Sequence, residues 1–194
     1  MPRPVTNDAT VRQRLVDATV RLLSTHRPAQ LSVRQIAGEA AASTTAIYAL
    51  FGDKDGLLGA ARDVAIESLY GSLSNTPPTS NPPDDLRLLA TTYLDWAAAH
   101  PHLYGVLFQG IQTFDPGGAL GERDPAAPLM AAVERGIDRG DLEGPPGAIA
   151  ASLWVALHGI ATLVRDGAMT NAVARICAET TIDALLSGWS PRAS

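Results

Sequence analysis

A chain of 194 residues that is 46% hydrophobic and 18% charged can bury the core of one large domain or two small ones, which excludes a disordered tail. Its net charge of −5 excludes a uniformly basic coat for nucleic acid. The single cysteine, Cys177, excludes a disulfide framework or an all-thiolate metal site within one chain.

Charge is unevenly spread. Residues 1–54 hold seven basic and four acidic groups, whereas residues 55–194 hold eight and sixteen, so a small basic head precedes an acidic body. Met1 to Thr10 has no apolar segment behind a basic one, so no secretory signal is read and a cytoplasmic location is expected.

Apolar positions recur at helical spacing almost throughout, and no run alternates long enough to argue for a strand. Val11, Leu15, Ala18 and Leu22 predict a first helix from about Asp8 to Thr25, with Pro28 beyond it. Next comes Leu31-Ser32-Val33-Arg34-Gln35-Ile36. Ser32 as N-cap faces Gln35 at the third helical position, and Leu31 with Ile36 forms a hydrophobic staple, so a second helix starts at Ser32. It ends near Glu39 or Ala40, because Ala40 to Ala42 suit a tight turn and Ser43 can cap a third helix. Gly52 stops that helix after Phe51, and Asp53 caps a fourth that runs through Leu57, Leu58, Ala61, Ala65 and Leu69.

Asn75 to Pro83 reads as a loop. Helical patterns resume from Asp84 to His100 and from Pro101 to Phe108, while Asp115 to Pro128, rich in Gly and Pro, reads as a mobile loop. Helices over Leu129–Arg139, Pro146–Arg165 and Met169–Leu186 complete the chain. Residues 147–164 carry no Asp, Glu, Lys or Arg and approach the length of a membrane span. Ser152, His158, Thr162 and many small residues make the stretch only weakly hydrophobic, so a helix buried all round is expected, and no membrane partner. The expected fold is all-α with about nine helices. A three-helix helix-turn-helix domain at 1–54 precedes a helical ligand-binding and dimerisation domain at 55–194.

Two short helices joined by a three-residue turn make a unit that reads DNA if the second helix has one face packed and one free. Ile47, Leu50 and Phe51 share one side of the third helix, whereas Thr44, Thr45 and Tyr48 share the other. Hydroxyls on the free face suit phosphates and base edges, and threonine methyls suit thymine methyls. Lys54, the only lysine, opens the next helix, where an anion such as a DNA phosphate is favoured. Taken singly, Ser32 is a helix cap whether or not DNA is present, and Tyr48 or Lys54 could be an ordinary surface residue.

The run SVRQIAGEAAASTTAIYALFGDKDGLL, Ser32 to Leu58, resembles the DNA-binding motif of the TetR family of transcriptional regulators. Ala37, Ser43, Tyr48, Phe51, Lys54 and Leu57 fall on motif positions without a gap. The resemblance reaches back to Val11, so it covers the first third of the chain. Ala41 stands where the family usually has the turn glycine, and Leu50 where an aromatic is common. The resemblance implies double-stranded operator DNA as partner. By it, Ser32, Arg34, Ser43 and Tyr48 would contact phosphates, Thr44 and Thr45 would lie closest to base edges, and Lys54 would grip the backbone.

The rest of the chain carries a second likeness. His100-Pro-His-Leu-Tyr, Gly140-Asp-Leu and Trp154-Val-Ala-Leu-His158-Gly159 resemble the sensing half of a WHG-containing branch of TetR regulators, which implies an unidentified small-molecule effector. Tyr93, Trp96 and His100 fall at i, i+3, i+7, and Trp154 and His158 at i, i+4. If the two faces meet, they form an apolar chamber with a few directional groups. The alternative is that these residues are core, each histidine satisfied by a backbone carbonyl. Phe108 is a further ligand-lining candidate, and Gln109, Gln112 and Met130 are weaker ones.

A helix-turn-helix reads one half-site, and the last two helices show more apolar surface than one chain can cover. A homodimer joined by them is therefore expected, with Ala172, Ile176, Glu179, Ile182, Asp183 and Leu186 at or beside the contact. The competing classes are an enzyme and a scaffold module. The chain contains no Glu-x-x-His pair, Gly-x-Ser-x-Gly, His-Glu-x-x-His or phosphate loop. Asp95 with His100 and His102 is a metal set that arises easily by chance. No cofactor and no metal site are therefore read, and a scaffold leaves the Thr44, Thr45, Tyr48 face unexplained.

Overall fold

A computed structural model of the chain describes residues 5–108 and 124–191. Among them are nine α-helices: α1 Val5–Leu23, α2 Val33–Glu39, α3 Thr44–Phe51, α4 Lys54–Ser74, α5 Pro82–Ala99, α6 Pro101–Phe108, α7 Ala127–Asp138, α8 Pro146–Arg165 and α9 Asn171–Trp189. A short 3-10 turn, Pro28–Gln30, precedes α2, and no strand occurs among the described residues. Most of the segment expected as a mobile loop, together with Gln109 and Gln112, lies outside them.

The helices divide into two compact units. Residues 66–100 and α7 to α9 belong to the second, whereas α1 to α3, residues 54–65 and α6 belong to the first. The expected boundary at residue 54 thus differs from the observed division, which falls within α4 and moves α6 into the first unit. Gly52 interrupts the backbone before α4 at φ +80°, but nothing breaks the helix between Leu57 and Leu69, both fully buried. α6 joins the first unit because it packs on α1.

In the first unit α1 packs on α2, α3 and α6. Leu15, Ala18, Ile36 and Ile47 are fully buried. Thr19 is buried too, and its hydroxyl donates to the Leu15 carbonyl of its own helix at 2.7 Å, which removes the cost of an unpaired polar group. α2 starts as its sequence dictates. The Gln35 N–H donates to Ser32 Oγ (3.2 Å), the Ser32 N–H donates to Gln35 Oε1 (2.9 Å), and Leu31 and Ile36 are both buried.

The end of α2 is a Schellman turn without its usual glycine. The Ala42 N–H donates to the Ala37 carbonyl (2.9 Å), the Ala41 N–H donates to the Gly38 carbonyl (3.2 Å), and Ala41 sits at φ +47°. A Cβ in that conformation costs about 1 kcal/mol, partly offset by the lower unfolded-state entropy of alanine. Ala41→Gly is therefore expected to raise the stability of this unit by up to about 1 kcal/mol, measurable as a higher urea midpoint at unchanged m-value; a lower midpoint would show that the turn is not strained.

In the second unit α5 packs against α7, α8 and α9, and α8 packs on α9. Leu86, Val133, Ile149 and Leu153 lie among the most deeply buried side chains. α5 begins two residues earlier than the Asp84 expected from the helical pattern, because Pro82 and Pro83, read as part of the loop, occupy its first turn, where no intrahelical N–H is needed. α9 runs one turn past Leu186. Its last residue, Trp189, is anchored by the bond from Nε1 to Ser152 Oγ (3.3 Å) and by the Glu143 N–H donating to its carbonyl (2.7 Å).

α8 corrects an expectation. It is the one helix among the described residues long and apolar enough to cross a membrane, but it is buried on one face only. Ile149, Leu153, Leu157 and Ile160 point inward, whereas Val155 is 66% exposed and Leu163 is also exposed. On α9, Val173 and Ile176 are exposed, Ile176 to 65%. An apolar stripe on each of two packed helices therefore faces outward.

Candidate nucleic-acid interface

The second helix of the helix-turn-helix, α3, is built by its ends. Ser43 Oγ accepts the Ala46 N–H at 3.1 Å, and Gly52 closes the far end in a positive-φ conformation. Ile47 is fully buried, which fixes the rotation of the helix. Thr45 and Tyr48 lie on the solvent side, Tyr48 with 55% of its surface exposed. Ser32 at the start of α2 is exposed, and Arg34 lies in the first turn of that helix. Leu50 and Phe51 were both expected on the packed side, yet neither is fully buried.

Arg12, Lys54 and Arg21, the last with Glu39 at 3.1 Å, are engaged within this unit. Arg12 Nη1 donates to the Leu50 carbonyl at 3.0 Å, and its guanidinium lies 4.5 Å from the Phe51 ring centre, satisfying a carbonyl in the last turn of α3. Lys54 Nζ donates to the Pro28 and Leu31 carbonyls at 2.9 and 2.8 Å. Lys54, expected to grip a DNA phosphate, thus has two of its three N–H donors on backbone carbonyls. The residue lies where separate chain segments meet, which periodicity does not reveal.

Gly56 also escaped the sequence reading. Its N–H donates to Asp53 Oδ1 at 2.8 Å, and a Cβ at this position would collide with the Phe51 carbonyl oxygen. Backbone atoms cannot yield as a flexible side chain can. Gly56→Ala should therefore cost about 1–3 kcal/mol and turn the end of α3 away from the start of α4. A drop in urea midpoint together with weakened DNA binding is the expected result, and wild-type values for both would show that the junction has slack.

The second unit brings part of the expected aromatic cluster together. The Tyr93 and Trp154 rings meet edge-on with centroids 5.4 Å apart, Trp154 stacks on His158 at 5.8 Å, and Tyr93 Oη lies 3.4 Å from His158 Nδ1. Burial, with a smaller contribution from Arg165, holds the His158 imidazole below its ordinary pKa of 6.5. The ring is then neutral at pH 7, with one nitrogen to donate and one to accept.

Other candidates go elsewhere. Trp96 Nε1 donates to Ser68 Oγ of α4 at 3.0 Å, His100 is exposed beside Trp96, and Phe108 lies against Tyr104 in the first unit. Asp95 bonds Arg175 at 2.6 Å rather than joining His100 and His102. The space bounded by Leu73, Leu89, Tyr93, Leu129, Trp154 and Leu157 is about 20 Å³, room for about one water and far below an ordinary ligand site. Met130 is half-buried on α7.

The expected dimer face is split. Ala172, Ile176 and Glu179 are exposed, but Ile182 and Leu186 are buried within their own unit, and Asp183 accepts a bond from Arg87 Nε of α5 at 2.7 Å. The positions i+6 and i+10 from Ile176 return to the inner side of α9.

Comparison with known proteins extends the geometry. The family model described as "Bacterial regulatory proteins, tetR family" matches residues 15–61, and "Tetracyclin repressor-like, C-terminal domain" matches residues 86–186. The HTH-type nicotine-responsive transcriptional repressor HdnoR of Paenarthrobacter nicotinovorans is 34% identical over 88 residues, which span 44% of this chain and 44% of that protein. The crystal structure of a TetR family transcription regulator from Marinobacter aquaeolei VT8 superposes with a TM-score of 0.72 at 22% identity, covering 92% of this chain and 97% of that one. The TetR family transcriptional regulator PfmR from Thermus thermophilus gives 0.71 at 20%, covering 93% and 100%.

Proposed function

The chain belongs to the TetR family of bacterial regulatory proteins, and from that premise we propose that it represses transcription in the cytoplasm by holding a palindromic operator as a homodimer. The observation that carries the reading is the two-sided α3, anchored by buried Ile47 and presenting Thr45 and Tyr48 to solvent. Ser32, Arg34, Ser43 and Tyr48 then contact phosphates, and Thr44 and Thr45 meet base edges. Two α3 helices related by a dimer axis require half-sites about 34 Å apart, or a multiple. The exposed apolar stripes of α8 and α9 supply the dimer contact as a four-helix arrangement.

Release is assigned to a small apolar or aromatic molecule that enters between Tyr93 and the Trp154–His158 stack, in keeping with a WHG-type sensing half. With only about 20 Å³ of space there, against a few hundred for an ordinary ligand site, the ligand must separate the walls. It therefore selects an opened arrangement, and α4, whose residues are shared by both units, is the element through which that change reaches α3.

Titration of duplexes from the DNA beside its own gene tests the reading. One palindromic duplex should bind far more tightly than random DNA, with both affinities falling as salt rises. Equal binding to every duplex, or none, would remove the regulator reading.

A further inference from the structure

A groove of about 320 Å³ lies within the second unit, between the end of α4, the loop after it, α5 and α7. Its volume is that of an ordinary ligand site. Leu73 and Leu89 line it, and the same two side chains bound the narrow space beside Tyr93 and Trp154. The groove thus adjoins that space across these leucines and supplies the preformed volume that the inner space lacks. Ala131 and Arg135, one turn apart on α7, line it together with Tyr70 of α4.

Arg135, the groove's only cation among the described residues, is already oriented. Its Nη2 donates to Asp85 Oδ2 at 3.0 Å, and the other oxygen of the buried Asp85 accepts the Thr79 N–H. One of the five guanidinium N–H donors is used in this way, and the rest make no hydrogen bond with the described residues. The Tyr70 hydroxyl makes none either. A planar guanidinium held by one N–H and half exposed, with a phenol donor in the same groove, matches a carboxylate. Charge selects the same class. Arg135 and Asp85 cancel, so a dianion such as phosphate would bring a second unmet charge close to the buried Asp85 carboxylate.

We infer that this groove binds an organic carboxylate with an apolar body. The acid group bonds Arg135 and Tyr70, and the body lies over Leu73 and Leu89, on the side of the Tyr93–Trp154 contact. The inference rests on the effector reading above and gives that effector its head group and its first point of docking. Because Tyr70 and Leu73 belong to α4, the ligand bears directly on the helix assigned to carry the release.

Phenylbutyrate and octanoate, each beside its own primary amide, probe the groove by calorimetric titration of the full chain without DNA. Each acid should bind about tenfold or more tightly than its amide, the difference expected for charge-assisted bonds. Arg135→Gln, which keeps an N–H donor for Asp85 but no charge, should abolish that preference. Tyr70→Phe, which leaves Asp85 untouched, should weaken the acids about fivefold, and Ala131→Trp, which fills the groove, should weaken acid and amide alike. These two variants carry the test if Arg135→Gln fails to fold. Equal binding of acid and amide, no binding of either acid at millimolar concentration, or titrations unaltered by Tyr70→Phe and Ala131→Trp would overturn the site. Saturating acid should also lower the affinity for the palindromic duplex at least about fivefold; bound acid with unchanged DNA affinity would overturn its role as effector. A protein that binds no duplex at all overturns the regulator reading instead and leaves the carboxylate site standing, because that titration contains no DNA.

Discussion

Asp85→Ala should destabilise the helical body by about 3 kcal/mol, the lower end of the range for breaking a buried charge pair. Asp85 is 3% exposed, yet it joins three segments. The Thr79 N–H donates to Oδ1, Arg135 of α7 donates to Oδ2 at 3.0 Å, and the carboxylate itself sits in the first turn of α5, where the helix dipole favours it. The lower end applies because Arg135 is 46% exposed and regains water when its partner is lost. At 2–4 °C per kcal/mol for a chain of this size, the thermal midpoint should fall by roughly 6–12 °C.

The pH dependence has a defined sign. Burial pushes the Asp85 carboxyl up, but the Thr79 hydroxyl, the Thr79 N–H and Arg135 together outweigh it and hold the pKa below 3.8. A carboxylate depressed by folding contributes stability that is fully present above the unfolded value and is lost as pH falls through the folded one. The advantage of wild type over Asp85→Asn should thus be complete at neutral pH and shrink only below about pH 4. Thermal unfolding across that range measures it, and a constant difference down to low pH would show that the carboxylate is not the stabilising species.

The second large effect is on assembly. Val155→Glu combined with Ile176→Glu places two charges on the outward stripes of α8 and α9 and should yield a folded monomer. An unpaired carboxylate buried in an apolar contact costs several kcal/mol, enough to move a micromolar dimer beyond reach of ordinary concentrations. Operator affinity should fall at least about a hundredfold, since each half-site is then bound alone. Ile182→Glu is the contrasting variant. Ile182 is buried in its own unit, so this change should unfold the chain instead of dissociating it. Sedimentation and circular dichroism separate the outcomes; a wild-type protein that is monomeric, or a double variant that remains dimeric, would discard these stripes as the contact.

Much of the first unit was legible because its signals are local. Ser32 with Gln35, Leu31 with Ile36, and Ser43 with Ala46 are pairs close together in sequence, so their geometry follows from spacing alone. The same holds for the packed Ile47 and the free Tyr48, neighbours in sequence that a 3.6-residue period sends to different sides. Ala41 stands out in the sequence for the same reason that it holds a φ of +47°: a Schellman turn asks for glycine there whatever surrounds it.

Where the sequence alone led astray, the missing information was the partner across space. The apolar pattern on α9 marks Ile176 and Ile182 alike, and only the packing of α9 on α5 and α8 buries one and exposes the other. α8 carries enough apolar residues to be buried all round, but a single unit provides neighbours for one face. Tyr93 and Trp154 do meet, while the ring of Trp96 is claimed by Ser68.

The sequence by itself determined the all-helical class, the helix-turn-helix with its caps, and the side of α3 left free, because each depends on residues within about four positions of one another. The tertiary structure decided the rest. It set Lys54 on carbonyls 26 and 23 residues away, joined Asp85 to an arginine 50 residues on, and drew α6 into the first unit. An ionisable group takes whichever acceptor or donor the folded chain brings within about 3 Å, and that proximity is a property of packed helices rather than of any local pattern.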